Sequence, residues 1–129
     1  IQGKMNCDIY VSRYEMDEYG EGGWAKPKNL GPSINTDEGW EAQPTISKDG
    51  SWLMYAVFKE GTRGIDLYQS YRNEDGSWQQ GASMGEPINT AGDEKSPFFH
   101  SDDKTLYFAS RNGHLGMGGY DVFMSRLID

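Results

Sequence analysis

The sequence has a single cysteine, two histidines, twelve lysines and arginines against twenty acidic residues, and no long apolar run. Each scarcity excludes something. One cysteine, Cys7, permits no internal disulfide; it is expected to act as a small buried hydrophobe, and the preceding Lys4-Met5-Asn6 does not suit lipid attachment. His100 and His114 lack the close spacing of a zinc pair, and no serine, histidine and aspartate form a defensible triad. A formal charge of −8 argues against nucleic acid, because phosphate binding needs a basic face. No segment reaches the roughly 18 apolar residues of a membrane helix, so no direct membrane insertion is expected. The opening IQGKMNCDIY shows no leader peptide, as a processed chain also would not. The acids Asp37-Glu38 and Asp93-Glu94 lack the alternating aspartates of a calcium loop. Gly116-Met117-Gly118-Gly119 lacks the lysine and helix of a phosphate loop. No metal and no cofactor are expected.

What the chain does have is an internal echo about 54 residues apart. Trp24 to Pro44 reads WAKPKNLGPSINTDEGWEAQP, and Trp78 to Pro97 reads WQQGASMGEPINTAGDEKSP. Trp24 matches Trp78, and Ile34-Asn35-Thr36 matches Ile88-Asn89-Thr90. A third element occurs as Asp8-Ile9-Tyr10-Val11-Ser12-Arg13, as Asp66-Leu67-Tyr68-Gln69-Ser70-Tyr71 and as Asp121-Val122-Phe123-Met124-Ser125-Arg126. Self-similarity at a fixed period marks a repeat architecture, in which each unit buries its apolar face by stacking on its neighbours.

The local grammar is β. Trp52 to Phe58 and Thr105 to Ser110 are apolar runs of strand length, and each follows a turn, Asp49-Gly50 or Asp102-Asp103. No helical period with caps is present, so almost no helix is expected. Overlaying the copies gives four antiparallel strands per unit. Strand one is Ala42 to Ser47 and Lys95 to His100, and strand two is the apolar run. Strand three is Asp66 to Tyr71 and Asp121 to Arg126, and strand four is Trp78 to Met84, with Trp24 to Leu30 as its earlier copy. Four-stranded units repeated radially describe β-propeller blades. The expected fold is all-β, a partial propeller of about two and a half blades over residues 1–129. Residues 1–36 would end one blade, 37–90 would form a complete blade, and 91–129 would form most of a third. Leu53, Tyr55, Leu106 and Phe108 should pack between blades. Trp24 and Trp78 should each open an outer strand and pack on their own blade.

The Ser-x-Asp-Gly or Ser-Asp-Asp turn, the apolar strand and the following Gly-(x)-Asp-apolar-aromatic run resemble the WD40-like repeat of TolB-type propellers. Leu30 to Thr36, Gly92 to Phe99, Leu106 to Ser110 and Gly113 to Asp121 are similar to the subset found in envelope proteins of Bacteroidetes-type bacteria. That resemblance implies OmpA-family or type 9 secretion associations and a periplasmic location beside the outer membrane. A propeller needs at least four blades, roughly 216 residues at this period. The segment is therefore expected to be a piece of a larger propeller protein, with the remaining blades from the parent chain.

Asp8, Asp66 and Asp121 recur in every unit, which points to a structural role such as bonding the preceding turn. Ser47 to Trp52 resembles a sialidase Asp-box one residue short, and reads as a turn. The expected function is a non-enzymatic scaffold for envelope proteins, with no catalytic residues. The alternative is a carbohydrate-active or carbohydrate-binding module using Glu41 and Glu94 in a central channel, with Trp40 stacking on sugar. The candidate binding face comprises Trp40, Arg63, Arg111, Asn112 and His114, on loops that a rigid sheet would carry. The competing reading has Trp40 capping the channel and the arginines paired with Asp37 or Asp93.

Overall fold

Trp52–Lys59 is apolar along nearly its whole length because both of its faces are covered. In a strand, alternate side chains face opposite ways. Leu53, Tyr55 and Val57 enter one buried cluster, with Ile9 and Ile34. Met54 and Ala56 enter another, with Leu67, Ile88, Phe99, Leu106 and Phe108. The computed structural model describes residues 6–59 and 64–128.

Eleven strands are described, and no helix is found among the described residues. The central sheet is an antiparallel meander of β5 (Gly39–Ile46), β6 (Trp52–Lys59), β7 (Asp66–Tyr71) and β8 (Ala82–Ser83). A second sheet joins β9 (Asp93–Phe99), β10 (Thr105–Arg111) and β11 (Asp121–Arg126) in the same up-and-down order. Before them come two ribbons, β1 (Tyr10–Val11) with β4 (Lys28–Asn29), and β2 (Tyr14–Met16) with β3 (Gly22–Trp24). These groups are the three sequence units. Leu53 and Tyr55 pack between the first and second, and Leu106 and Phe108 between the second and third. Burying such a side chain contributes roughly 1.5–3 kcal/mol.

The repeat extends to backbone irregularities. In β5, Gln43 and Pro44 together oppose Tyr55; in β9, Ser96 and Pro97 oppose Phe108. Both are bulges, and both place a non-glycine residue at positive φ, 54° at Gln43 and 53° at Ser96. Proline suits the bulge because it has no N–H to place in a ladder. The two turns are equivalent too: Gly50 has φ 76° and Asp103 has φ 54°.

Strand four is shorter than its sequence suggests. Trp78 makes only an isolated bridge with Arg72, and regular pairing resumes at Ala82. Between them the Gly81 N–H donates to the Ser33 carbonyl of the preceding unit, at 2.9 Å. The segment leaves its own sheet because the neighbouring unit takes its donor. The two tryptophans also diverge. Trp78 packs on the first cluster, with the Arg72 guanidinium 5.5 Å over its ring. Trp24 is 73 % exposed and meets Tyr14 edge-on at 5.4 Å. The turn before Trp24 is four residues longer than that before Trp78, counted from the equivalent Ser12–Ala25 and Ser70–Gln79 bonds. Trp78 is covered together with Ile9 and Leu30 of the preceding unit, whereas Trp24 meets Tyr14 of its own ribbon and stays largely exposed, so the expectation of packing holds for Trp78 and fails for Trp24. Cys7 is exposed, against its expected burial; its carbonyl is what the fold uses, accepting from Glu41 N at 2.9 Å.

Candidate functional site

The recurring Ile-Asn-Thr motif is a joint. The Ile9 N–H donates to Asn35 Oδ1 at 2.8 Å, and Asn35 Nδ2 donates to the Ile9 carbonyl at 3.0 Å. Asn89 does the same to Leu67, at 2.8 Å in both directions. A primary amide can bracket one residue this way because it offers a donor and an acceptor side by side. The threonine then reaches forward. Thr36 Oγ1 donates to Glu41 Oε1 at 2.7 Å, and Thr90 Oγ1 donates to Glu94 Oε1. Asparagine thus holds strand three of its own unit, and threonine holds a buried glutamate in strand one of the next. The polar recurrence of Asn-Thr was the available signal, although the sequence alone assigns it no role.

Glu41 and Glu94 are 1 % and 0 % exposed. Neither carboxylate faces an open channel, as the carbohydrate-active alternative requires. Burial pushes the Glu94 carboxyl above its usual range, against the lowering bond from Thr90 and the pull of His114, with Asp66 adding repulsion. Asp66 is raised by burial and by the Asp93 charge. Asp66 Oδ1, Glu94 Oε2 and Ser110 Oγ are buried without hydrogen-bond partners. A raised carboxyl pKa means that the folded state holds its proton more firmly than the unfolded chain. This contribution to stability is present below the unfolded pKa and lost as pH rises toward the folded value. Glu94→Gln should therefore raise the urea midpoint at neutral pH and flatten its fall just above the ordinary carboxylate range. Asp49 and Asp102 act in the opposite sense. Hydrogen bonds from Ser51 and Ser47 hold Asp49 near about 2, and those from Lys104 and Thr105 hold Asp102 near about 2, so their contributions are lost as pH falls from about 4 to 2.

The Trp40–Phe58 and Asp93–Arg111 pairs occupy equivalent places in successive units. Trp40 opposes Phe58 across β5 and β6, and the rings stack at 6.1 Å. Arg111 opposes Asp93 across β10 and β9, and Nη2 lies 2.8 Å from Oδ2. An aromatic stack in one unit is replaced by an ion pair in the next. Trp40 is half-buried against the second cluster, so it offers only part of its ring. Arg111 also lies 4.8 Å from the Tyr120 ring centre, with the Lys95 ammonium 4.1 Å from the same ring. The Asp93 partner holds the Arg111 guanidinium high and is itself lowered by it. Asn112 is exposed, with φ 62°.

His114 turns inward, 5.6 Å from Phe108 and 5.2 Å from Phe123 between ring centres. Its Nε2 lies 2.9 Å from the Ile88 carbonyl; a carbonyl only accepts, so Nε2 carries the proton. Arg63 lies outside the described residues. Arg111, Asn112 and His114 share one loop, whereas Trp40 stands on the preceding unit. The recurring aspartates do not share one role. Asp121 Oδ2 accepts from Met117 N at 2.7 Å and Gly118 N at 3.3 Å, as expected of a turn. Asp8 accepts instead from Asn29 Nδ2. Asp49 accepts from Ser47 and Ser51, the structural turn expected there. Among the described residues no cluster of ligating side chains could hold a metal ion.

No family model matches the chain, and no solved structure matches it. Over 94 residues it is 33% identical to the lanosterol synthase of Pneumocystis carinii. That stretch is 66% of this chain but 12% of the curated relative, so the chain spans a small part of its length and the likeness places the chain in no family.

Proposed function

We propose that the three units are successive blades of a β-propeller of the WD40-like, TolB-type class, and that the module is a non-enzymatic scaffold for envelope proteins. The observation that carries this reading is a ladder between like strands. Gln43 Oε1 accepts from Ser96 N at 2.7 Å, Thr45 Oγ1 from Phe99 N at 3.0 Å, and Asp103 Oδ1 from Lys48 N at 3.1 Å. These partners are 53, 54 and 55 residues apart. Strand one of one unit therefore lies beside strand one of the next, as inner strands do around a central axis. The open edge of β11 and the uncovered face of its sheet support further blades from the parent chain. The placement of that parent in the periplasm beside the outer membrane, with OmpA-family or type 9 secretion partners, follows the sequence resemblance. A scaffold is favoured over a carbohydrate-active module because Thr36 and Thr90 hold Glu41 and Glu94 within the joints.

The test is electron microscopy of the intact parent protein, with affinity capture from envelope extract. A closed ring with a central channel is expected, and an open two-sheet sandwich would sink the reading. Trp40→Ala with Arg111→Ala should lose captured partners while the chain stays folded by circular dichroism, at a somewhat lower melting temperature. Undiminished capture would place docking on the opposite face, at Ser47 to Ser51 and Ser101 to Lys104.

A further inference from the structure

Two equivalent apolar grooves lie between successive units. The first is lined by Leu30 and Leu53, with Trp78 as a further wall, and measures about 230 Å³. The second has Met84 and Leu106 in the places of Leu30 and Leu53, and measures about 370 Å³. Trp78 belongs to the strand-four segment of the second unit and packs over the cluster that the first two units share. Among the described residues the third unit supplies no such tryptophan to the second groove.

The edge beside the second groove repeats the edge that the Trp78 segment covers. On β7, the Tyr71 carbonyl accepts from Gln79 N and the Leu67 carbonyl from Met84 N, each at 2.9 Å. Ser70 Oγ donates to the Gln79 carbonyl, just after the tryptophan, at 2.5 Å. Ser12 Oγ does the same to the Ala25 carbonyl, just after Trp24, at 2.5 Å. On β11 the residues in these places are Arg126, Val122 and Ser125, with the register against β10 that Tyr71, Leu67 and Ser70 have against β6. The Leu127 N–H turns to the Lys104 carbonyl, so Val122, Met124 and Arg126 direct their backbone groups to the outer edge. That edge pairs with no other described strand, and an unpaired edge is a template for one more.

We propose that the β11 edge and the second groove form one socket, which takes an extended strand of the parent chain that carries a tryptophan at its start. The strand runs antiparallel to β11, its indole lies on Met84 and Leu106, and Ser125 donates to the carbonyl after the tryptophan. An aromatic ring suits the groove because Trp52 and Phe99 already form an aromatic wall, edge-on at 5.0 Å. Leu127 stands where Arg72 covers the Trp78 ring, and gives the incoming indole an aliphatic cover instead. Such a strand would be the fourth of the third unit, and in this the socket rests on the reading of the units as blades.

The test is to extend the chain after Asp129 with a copy of its own Asp75–Met84, which keeps the repeat spacing because Leu127 matches Arg72. The extension should raise the melting temperature by about 5 °C or more and slow amide exchange along the outer edge of β11. The same extension with alanine for tryptophan should lose most of that gain. In a Ser125→Ala chain the gain, measured against that chain without the extension, should be smaller. An unchanged transition, or a gain that the alanine extension keeps, would overturn the proposal. So would a dimer of the unextended chain that Met124→Lys breaks, because a second copy would then cover the edge. Microscopy tests the ring separately: a closed ring together with an unchanged transition would refute the socket alone.

Discussion

Asn89→Ala should destabilise the chain by about 3 kcal/mol, the largest effect expected of any polar substitution here. The Asn89 amide satisfies both the N–H and the carbonyl of Leu67, each at 2.8 Å, and Leu67 is fully buried. Removing the amide leaves a buried donor and a buried acceptor with no partner. Each such group costs about 1–3 kcal/mol, which exceeds the worth of a typical net hydrogen bond. Asn89 Nδ2 also reaches Ser83 Oγ at 3.0 Å, so β8 loses a tie at the same time. Asn89→Asp should be nearly as severe, because a carboxylate keeps the acceptor but sets a charge against the Leu67 carbonyl. Urea denaturation followed by tryptophan emission measures both. A change under about 1 kcal/mol would show that the clasp is incidental to stability. Asn35→Ala should cost less, since the ribbon it holds has only two paired residues on each strand.

Leu106→Ala should destabilise by about 3 kcal/mol, within the usual range for a buried leucine, and lower the melting temperature by about 10 °C. Leu106 lies in the cluster joining the second and third units, with Met54, Leu67, Phe99 and Phe108. A cavity there cannot close easily. Its walls are strands of two different sheets, fixed by the Gln43–Ser96 and Thr45–Phe99 bonds. The lost stability is the transfer energy of the removed methyl groups together with a cavity term. Met124→Ala provides the contrast: the residue is exposed on β11, and little change is expected. Thermal melts of the two variants side by side give the comparison.

Much of the fold was legible because it is written locally. Asp66–Tyr71 and Asp121–Arg126 match the strands read from the repeat, and Trp52–Lys59 extends the expected strand by one residue. Alternation with both faces apolar encodes a strand covered on both sides. The turns were legible for the same reason, since Asp-Gly or Asp-Asp followed by an apolar run is a short-range signal. The fate of the paired positions was not legible. Nothing near Trp40 states that it will stack on Phe58, because the pairing depends on the register of β5 with β6. Nor does Arg111 announce Asp93, which stands eighteen residues earlier on another strand.

By itself, then, the sequence determined the period, the all-β class, the strand centres and the lack of helix among the described residues. Those follow from side-chain alternation and turn chemistry within about ten residues. Tertiary structure decided what each polar or aromatic residue of the repeat does. Trp78 is covered and Trp24 is not, because Trp78 meets a cluster shared with the preceding unit. Glu41 and Glu94 lie in joints, because a threonine reaches them across a unit boundary. His114 is half-buried while Leu115 and Met117 are exposed, because the loop's anchors belong to strands and joints distant in sequence. Burial depends on what the neighbouring unit supplies, and a contact between units is set by packing geometry that no local pattern contains.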